Sequence, residues 1–153
     1  MSKDEIFMRL AIEQAHLARR IGEVPVGAVI TDEKGSILSQ THNKTETDIN
    51  PTAHAEVIAI REASRKKGDW RLTGTTLYVT IEPCVMCMGA IVLARIDRLV
   101  FGARDEKAGA VFSAYKMGQD GRLNHTPEIR EAVYERECAS LMKDFFNKLR
   151  SEG

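Results

Sequence analysis

Cysteine, proline and net charge are all scarce in this sequence, and each scarcity excludes a class of protein. The 153 residues include three cysteines and four prolines, and 22 basic residues are balanced by 22 acidic ones. An odd and small number of cysteines excludes a disulfide-stapled scaffold. So few prolines exclude a proline-rich linker. A net charge of zero excludes a generic polycationic nucleic-acid binder, although it leaves room for a local basic surface.

Long apolar runs are missing as well. No stretch approaches the roughly 18–20 consecutive apolar residues that a membrane-spanning helix needs. The first residues, Met1 to Glu5, lack the charged-then-apolar order of a signal peptide. We therefore expect a cytoplasmic protein with no membrane partner.

What is present is typical of one globular domain. The sequence is 43% hydrophobic and 29% charged, and it shows no fixed-period repeat, low-complexity tract or linker. We therefore expect a single domain over residues 1–153.

The pattern of apolar residues predicts strands that alternate with helices after an initial hairpin. Strands are predicted over 26–31, 36–42, 76–81 and 98–103, and helices from 2 to 22, over 54–67, from 83 to about 95, and from 126 onward. The last helix is predicted to have Thr126 as its N-cap and Pro127 at its first position. This order favours an α/β sandwich around a mixed sheet.

Two short segments carry residue types that bind metal ions, Pro51–Glu56 and Glu82–Cys87. Cys84 and Cys87 are three residues apart, so on a helix their sulfur atoms share one face. Pro83 places them at a helix start, where unpaired N–H groups and the positive end of the dipole favour thiolates. His54 offers a third, neutral ligand. Three protein ligands leave one tetrahedral position open for water, which is typical of a catalytic zinc site.

Glu56 lies two residues after His54, and residues two apart on a regular helix do not share a face. Both can serve one site only if this segment meets the site end-on, with its first turn pointing into the pocket. Glu56 is then too far to bind the metal but close enough to take a proton from water activated there.

The two cysteines also fit two alternative roles. A lone Cys-x-x-Cys occurs as a redox pair or as half of a structural zinc site. A structural site needs two further ligands, and no second tight pair exists among the remaining candidates, Cys138, His16, His42 and His125. The combination of His54, Glu56 and the two cysteines therefore favours catalytic zinc. We expect Cys138 to pack in the last helix and His16 to lie on the surface.

These residues resemble the known signature of the zinc-dependent nucleobase deaminases, His-x-Glu followed by Pro-Cys-x-x-Cys. Within that cytidine/deoxycytidylate deaminase superfamily, the sequence is similar to the bacterial tRNA-specific adenosine deaminase family. The similar segments span nearly the whole chain in order: 23–29, 51–56, 76–87, 101–105, 123–125 and 144–146. Asn50, where many members carry aspartate, Met88 and the segment 111–121 depart from the family pattern.

The resemblance implies a cytidine-deaminase-like fold, a three-layer sandwich with helices on both faces of a five-stranded mixed sheet. It implies one Zn²⁺ per subunit, bound by His54, Cys84 and Cys87, with Glu56 as the proton shuttle. It also implies a homodimer whose interface lies next to the active sites. Six further residues match substrate-binding positions: Asn43 toward the target base, Asp105 and Asn124 in the nucleotide pocket, and Arg71, Lys107 and Phe146 toward the anticodon loop.

The implied reaction is hydrolytic deamination of adenosine to inosine at the wobble position of a tRNA anticodon. The expected partner is a tRNA anticodon stem-loop, and no DNA partner is expected. Basic clusters on the second helix (Arg61, Arg65, Lys66 and Lys67) and on the last helix (Lys143, Lys148 and Arg150) are compatible with RNA but are also ordinary solvated faces.

Two alternative functions remain. The same zinc chemistry serves a deaminase of a free base or nucleoside such as guanine or cytidine, since the shape of the pocket selects the substrate. A non-catalytic module stabilised by zinc is the other alternative, and it predicts that Glu56 is dispensable.

Overall fold

The β-branched and apolar runs of the sequence form one five-stranded sheet in the computed structural model, which describes residues 1–152. Its strands are β1 (Gly27–Thr31), β2 (Ile37–His42), β3 (Thr76–Ile81), β4 (Arg98–Ala103) and β5 (Glu128–Arg130), in the spatial order β2-β1-β3-β4-β5. β1 runs antiparallel to β2 and β3, whereas β3, β4 and β5 are parallel. The predicted mixed sheet is confirmed.

Two helices cover each face of this sheet. The helices are α1 (Lys3–Arg20), α2 (Ala55–Lys67), α3 (Val85–Leu93) and α4 (Glu135–Glu152). α1 contacts α4 on one face, and α2 contacts α3 on the other. Every residue of β1 is buried, as expected for a strand covered on both sides. The predicted three-layer sandwich is therefore confirmed. None of the helices over residues 1–152 combines the length and apolar character that crossing a bilayer requires.

A glycine in β4 allows α4 to lie directly on the sheet. A Cβ atom at Gly102 would overlap the thiol of Cys138 and come within 2.7 Å of the Thr80 carbonyl oxygen. Cys138 is only 1% exposed, so it packs in the last helix as predicted. This close approach brings the aromatic end of α4 over the carboxyl ends of β3 and β4.

The start of the last helix differs from the sequence prediction. The segment after Pro127 forms β5, and α4 begins only at Glu135. The backbone N–H of Glu128 donates to the Asp97 carbonyl at 2.8 Å, and Ile129 pairs with Leu99. The edge of β4 presents unpaired backbone groups, and pairing them outweighs the local helix-start signal.

Asp4 joins α1 to the three parallel strands β3, β4 and β5. Its carboxylate accepts both guanidinium hydrogen bonds of Arg98 at 2.7 and 2.6 Å, one from Arg130 at 2.6 Å and one from the Tyr78 hydroxyl at 2.9 Å. Its side chain is 7% exposed. The Arg98 hydrogen bonds hold the pKa of Asp4 well below its usual range.

We expect Asp4→Asn to destabilise the fold by about 2 kcal/mol at neutral pH, because it removes the buried counter-charge of two partly exposed guanidinium groups, those of Arg98 and Arg130. Since the folded-state pKa is lowered, the carboxylate contributes fully above the unfolded-state pKa of about 4, and its contribution is lost as the pH falls below that value. Urea unfolding of both proteins at about pH 7 and pH 3 measures this. A stability difference that stays constant with pH would contradict it.

Candidate active site

Three possible metal ligands meet where the two helices of one face begin. His54 is the N-cap of α2, Cys84 is the N-cap of α3, and Cys87 lies one turn into α3. Each cysteine Sγ lies 3.6 Å from His54 Nδ1. All three ligand atoms lie within 4.8 Å of one another, and over residues 1–152 they form the one group with metal-site geometry.

The spacing of these atoms fits a zinc ion. Zn–S bonds of about 2.3 Å and Zn–N bonds of about 2.0 Å at the tetrahedral angle place nitrogen and sulfur about 3.5 Å apart. The two observed Nδ1–Sγ distances are 3.6 Å. Three nitrogen and sulfur donors without a fourth in the described chain correspond to an open, catalytic type of site.

The protonation states of the two cysteines and His54 favour metal binding. Hydrogen bonding to the Cys87 thiol, followed by that to His54, lowers the pKa of Cys84 to about 4. The pKa of Cys87 is raised, because its proton is shared with Cys84 and because the residue is buried. The hydrogen bond with Cys84 raises the pKa of His54. Cys84 is therefore a thiolate at neutral pH, next to the positive end of α3.

Glu56 faces the same site from the first turn of α2. His54 is the N-cap of α2, so its backbone is extended and the helical spacing rule does not apply to it. The side chains of His54 and Glu56 therefore reach the same cavity, as the predicted end-on arrangement requires. Glu56 is 3% exposed, and burial raises its pKa to about 7. A carboxyl group with such a pKa both accepts and returns protons near neutral pH.

A cavity of about 930 Å³ opens over these residues. Its walls come from the loops after α1, β2 and β4 and from the carboxyl end of α4. It brings together seven of the ten predicted site residues: Asn43, His54, Glu56, Cys84, Asp105, Lys107 and Phe146. Cys87 is fully buried behind Cys84.

Asn43 has a fixed orientation in this cavity. The backbone N–H of Ala55 donates to Asn43 Oδ1 at 2.7 Å. Because a backbone N–H can only donate, the amide oxygen must face Ala55, and the NH₂ group remains for a ligand. Asn43 therefore offers hydrogen-bond donors to acceptor atoms of a bound base.

Asp105, Lys107 and Phe146 line the outer part of the cavity. Asp105 Oδ1 accepts the backbone N–H groups of Lys107 and Ala108 at 3.1 and 3.2 Å, which turns the chain sharply after β4. Phe146 is 39% exposed and meets the buried Phe145 edge to face, with ring centroids 5.3 Å apart. Both rings line the cavity, and Phe146 presents the larger exposed aromatic surface to a ligand.

Arg71 and Asn124, expected among the substrate-binding residues, lie outside this cavity. The backbone N–H of Leu72, the residue after Arg71, donates to the Ala94 carbonyl. This bond places Arg71 in the segment that precedes β3. His125 Nε2 lies 2.6 Å from the Ile96 carbonyl oxygen, which places Asn124 ahead of β4. Both residues are exposed and sit at the strand ends opposite to the cavity.

Two buried carboxylates in the cavity walls were not singled out from the sequence. Glu23 is 1% exposed and accepts the backbone N–H groups of Glu46 and Thr47 at 3.1 and 2.6 Å, so it holds the loop after β2. Glu82 is also 1% exposed and lies at the end of β3. Glu82 could have been found from the sequence, because it is a charged residue directly after the apolar strand β3.

Comparison with known proteins places this geometry in a family. Residues 1–103 match the model of the cytidine and deoxycytidylate deaminase zinc-binding region. The chain belongs to this deaminase family. The matched residues include His54, Cys84 and Cys87, so the predicted zinc cofactor is confirmed.

Individual deaminases are similar over most of the chain. The tRNA-specific adenosine deaminase of Bacillus subtilis is 45% identical over 99% of this chain and 94% of its own. A solved structure from a study of A-to-I editing by tRNA:A34 deaminases at the wobble position has a TM-score of 0.86 and 41% identity, covering 89% of this chain and 98% of its own. Guanine deaminase from Bacillus subtilis has a TM-score of 0.63 and 40% identity over 65% and 64% of the two chains.

We expect Cys87→Ala to lose bound zinc, because it removes one of three ligand atoms. Cys138→Ala is the matched control, since Cys138 is a buried cysteine packed between α4 and the sheet. Zinc per chain, measured by elemental analysis after dialysis, should fall to about a tenth or less in Cys87→Ala. Full zinc content in that variant would remove Cys87 from the ligand set.

Proposed function

We propose that the protein hydrolytically deaminates adenosine to inosine at the wobble position of a tRNA anticodon, as one catalytic domain acting in the cytoplasm. The observation that carries this proposal is an open three-ligand centre beside a buried carboxyl group in a cavity of about 930 Å³. The similarity to tRNA-specific adenosine deaminases over 99% of the chain supports the choice of substrate.

His54, Cys84 and Cys87 hold the metal ion in this proposal. A zinc ion in that position supplies Lewis-acid activation of a water molecule at neutral pH. The two helix N-termini stabilise the thiolates, and the closed inner wall around Cys87 keeps bulk solvent away from the ligands.

Glu56 moves the protons of the reaction. It accepts a proton from the water that adds to C6 of adenine and delivers a proton to N1 of the ring. It then takes the remaining proton from the hydroxyl group on C6 and gives it to the departing amine, so that the C6–N bond breaks, ammonia leaves and the C6 oxygen remains as the carbonyl of inosine. The pKa of about 7 that burial gives Glu56 suits both directions of transfer.

The outer cavity suits a nucleotide in an RNA loop. Asn43 offers amide donors to the base, and Phe146 offers an aromatic edge and face for stacking. Lys107, Lys143 and Arg150 line the same cavity and can approach phosphate groups. A base in an anticodon loop is splayed outward at lower cost than a base in a duplex, which favours a loop substrate.

We further propose that two copies pair through α3. This nine-residue helix contains no charged residue. Val85 and Leu93 are 46% and 70% exposed on its outer side, with Gly89 between them. An apolar helix face that begins beside Cys84 is suited to a symmetric contact with a second copy, which places the interface next to the active site.

We expect Glu56→Gln to keep its zinc and to lose at least about a hundredfold in turnover, because the amide cannot accept the proton. The assay follows inosine formation in an anticodon stem-loop with adenosine at the wobble position, in parallel with ammonia release from guanine and cytidine. Asp4→Asn, at the opposite end of the sheet, should keep wild-type turnover at a temperature where it is folded. Wild-type activity in Glu56→Gln would refute the mechanism.

The same assay separates the two candidate substrates. Inosine formation that falls steeply with salt is expected for an RNA held by phosphate contacts. The 40% identity to a guanine deaminase is the observation that favours the second candidate. Ammonia release from guanine with untouched RNA would keep the zinc chemistry and overturn the tRNA substrate.

We expect Leu93→Asp to convert the dimer to a monomer, because it places a charge in the apolar face of α3. Leu17→Asp is the matched control, since Leu17 is a 41% exposed leucine on α1, on the other face of the sheet. Sedimentation velocity of the wild type and both variants measures the outcome. A wild-type monomer, or a Leu93→Asp dimer, would contradict pairing through α3.

A further inference from the structure

We propose that Glu82 is a positioning residue that holds the loop of residues 105–113, whose first part forms a wall of the cavity, and thereby sets the affinity for substrate. The inference rests on the proposed function for its substrate. Its structural part depends only on the contacts of this carboxylate.

The carboxylate of Glu82 gathers both ends of the loop that follows β4. Glu82 Oε2 accepts three successive backbone N–H groups, those of Val111, Phe112 and Ser113, at 2.9, 2.8 and 3.1 Å. Glu82 Oε1 accepts the backbone N–H of Asp105 at 3.1 Å and the hydroxyl of Ser113. Residues 106–110 are thus closed into a loop over a single side chain.

These contacts use the whole hydrogen-bonding capacity of the carboxylate. An ionised carboxylate has about four acceptor sites, and here five donors converge on it. Glu82 is also 1% exposed. No acceptor site is left for a ligand, so the effect of Glu82 on substrate must act through the loop.

The loop is in direct contact with the carboxylate at Gly109. A Cβ atom at Gly109 would overlap the Glu82 carboxyl group and lie 2.6 Å from the Asp105 carbonyl oxygen. The backbone therefore approaches Glu82 more closely than any other residue type allows. The loop cannot keep its path if either side of this contact changes.

The part of the loop that Glu82 holds is the part that faces substrate. Asp105, at the first anchored end, and Lys107 and Ala108, between the two ends, line the cavity. His54 and Cys84 are set by the starts of α2 and α3. The loop meets this side of the site through a backbone hydrogen bond from Ala110 N–H to the Pro83 carbonyl at 2.7 Å, which a change of the Glu82 side chain does not remove. Loss of the Glu82 contacts should therefore alter substrate binding and leave the zinc centre intact.

Glu82→Gln tests this with little change of shape. Facing its amide oxygen toward Val111, Phe112 and Ser113 keeps three bonds, but its NH₂ group then opposes the N–H of Asp105. We expect KM for the stem-loop to rise about tenfold, kcat to stay within about threefold, and zinc content to be unchanged. Amide hydrogen exchange within residues 105–113 should become faster.

Gly109→Ala perturbs the same contact from the other side and should reproduce the rise in KM and the faster exchange. Ser113→Ala removes one donor only and should show a smaller change in the same direction. Asp4→Asn is the matched control, since it alters another buried, multiply bonded carboxylate, at the opposite end of the sheet, and should leave KM unchanged.

Unchanged KM and unchanged exchange in Glu82→Gln and Gly109→Ala would overturn the inference. Loss of zinc with a fall in kcat would also overturn it, because Glu82 would then act through the metal centre. A wild-type protein inactive on the stem-loop would refute the proposed function, whereas the exchange measurement would still decide whether Glu82 holds the loop.

Discussion

The meeting of two helix N-termini at one end of the sheet is the constraint on which the rest of the site depends. α2 and α3 begin with His54 and Cys84, and both N-caps have extended backbone, so their side chains leave the helices toward each other. Unpaired N–H groups and the positive dipole ends create a region that favours thiolate and carboxylate charge. The hydrogen bonds with Cys87 and His54 lower the pKa of Cys84, so it is a thiolate. Burial acts in the opposite direction on Glu56 and raises its pKa.

Buried carboxylates also hold the loops that form the cavity walls. Glu23 and Glu82 each hold a loop by accepting several backbone N–H groups, one on the side of β2 and one on the side of β4. Loops carry backbone groups that the sheet does not pair, and a buried carboxylate satisfies several of them at once. The loops that face substrate are thus rigid at their base. Asn43 also binds a backbone group of a cavity wall. Its amide oxygen accepts the N–H of Ala55, and its NH₂ donors face the cavity.

Local signals predicted the elements well where a segment could satisfy its own backbone groups. α1 lies within the predicted range 2–22 and begins with a capping box of Ser2 and Glu5, and β3 and β4 have the predicted bounds. The prediction failed where a distant partner competed. Thr126 and Pro127 have the residue types of a helix start, yet the chain after them pairs with the open edge of β4. Ile129 therefore lies in strand β5 and not on a helix face. Arg71 and Asn124 lie away from the cavity, because neighbouring residues bond to the backbone ahead of β3 and β4, and their contact with substrate stays a prediction.

The sequence by itself determined the chemistry of this protein: the zinc-binding set of His54, Cys84 and Cys87, the adjacent Glu56, and the deaminase family to which they belong. These features follow from residue type and short spacing, which local helix geometry converts into a site. Only the tertiary structure decided which residues form the cavity wall and which lie at the far end of the sheet. It also revealed Glu82, whose five donors come from residues 23 to 31 positions away along the chain. Such contacts leave no local periodicity in a sequence, because they exist only once parallel strands have brought distant loops to one edge.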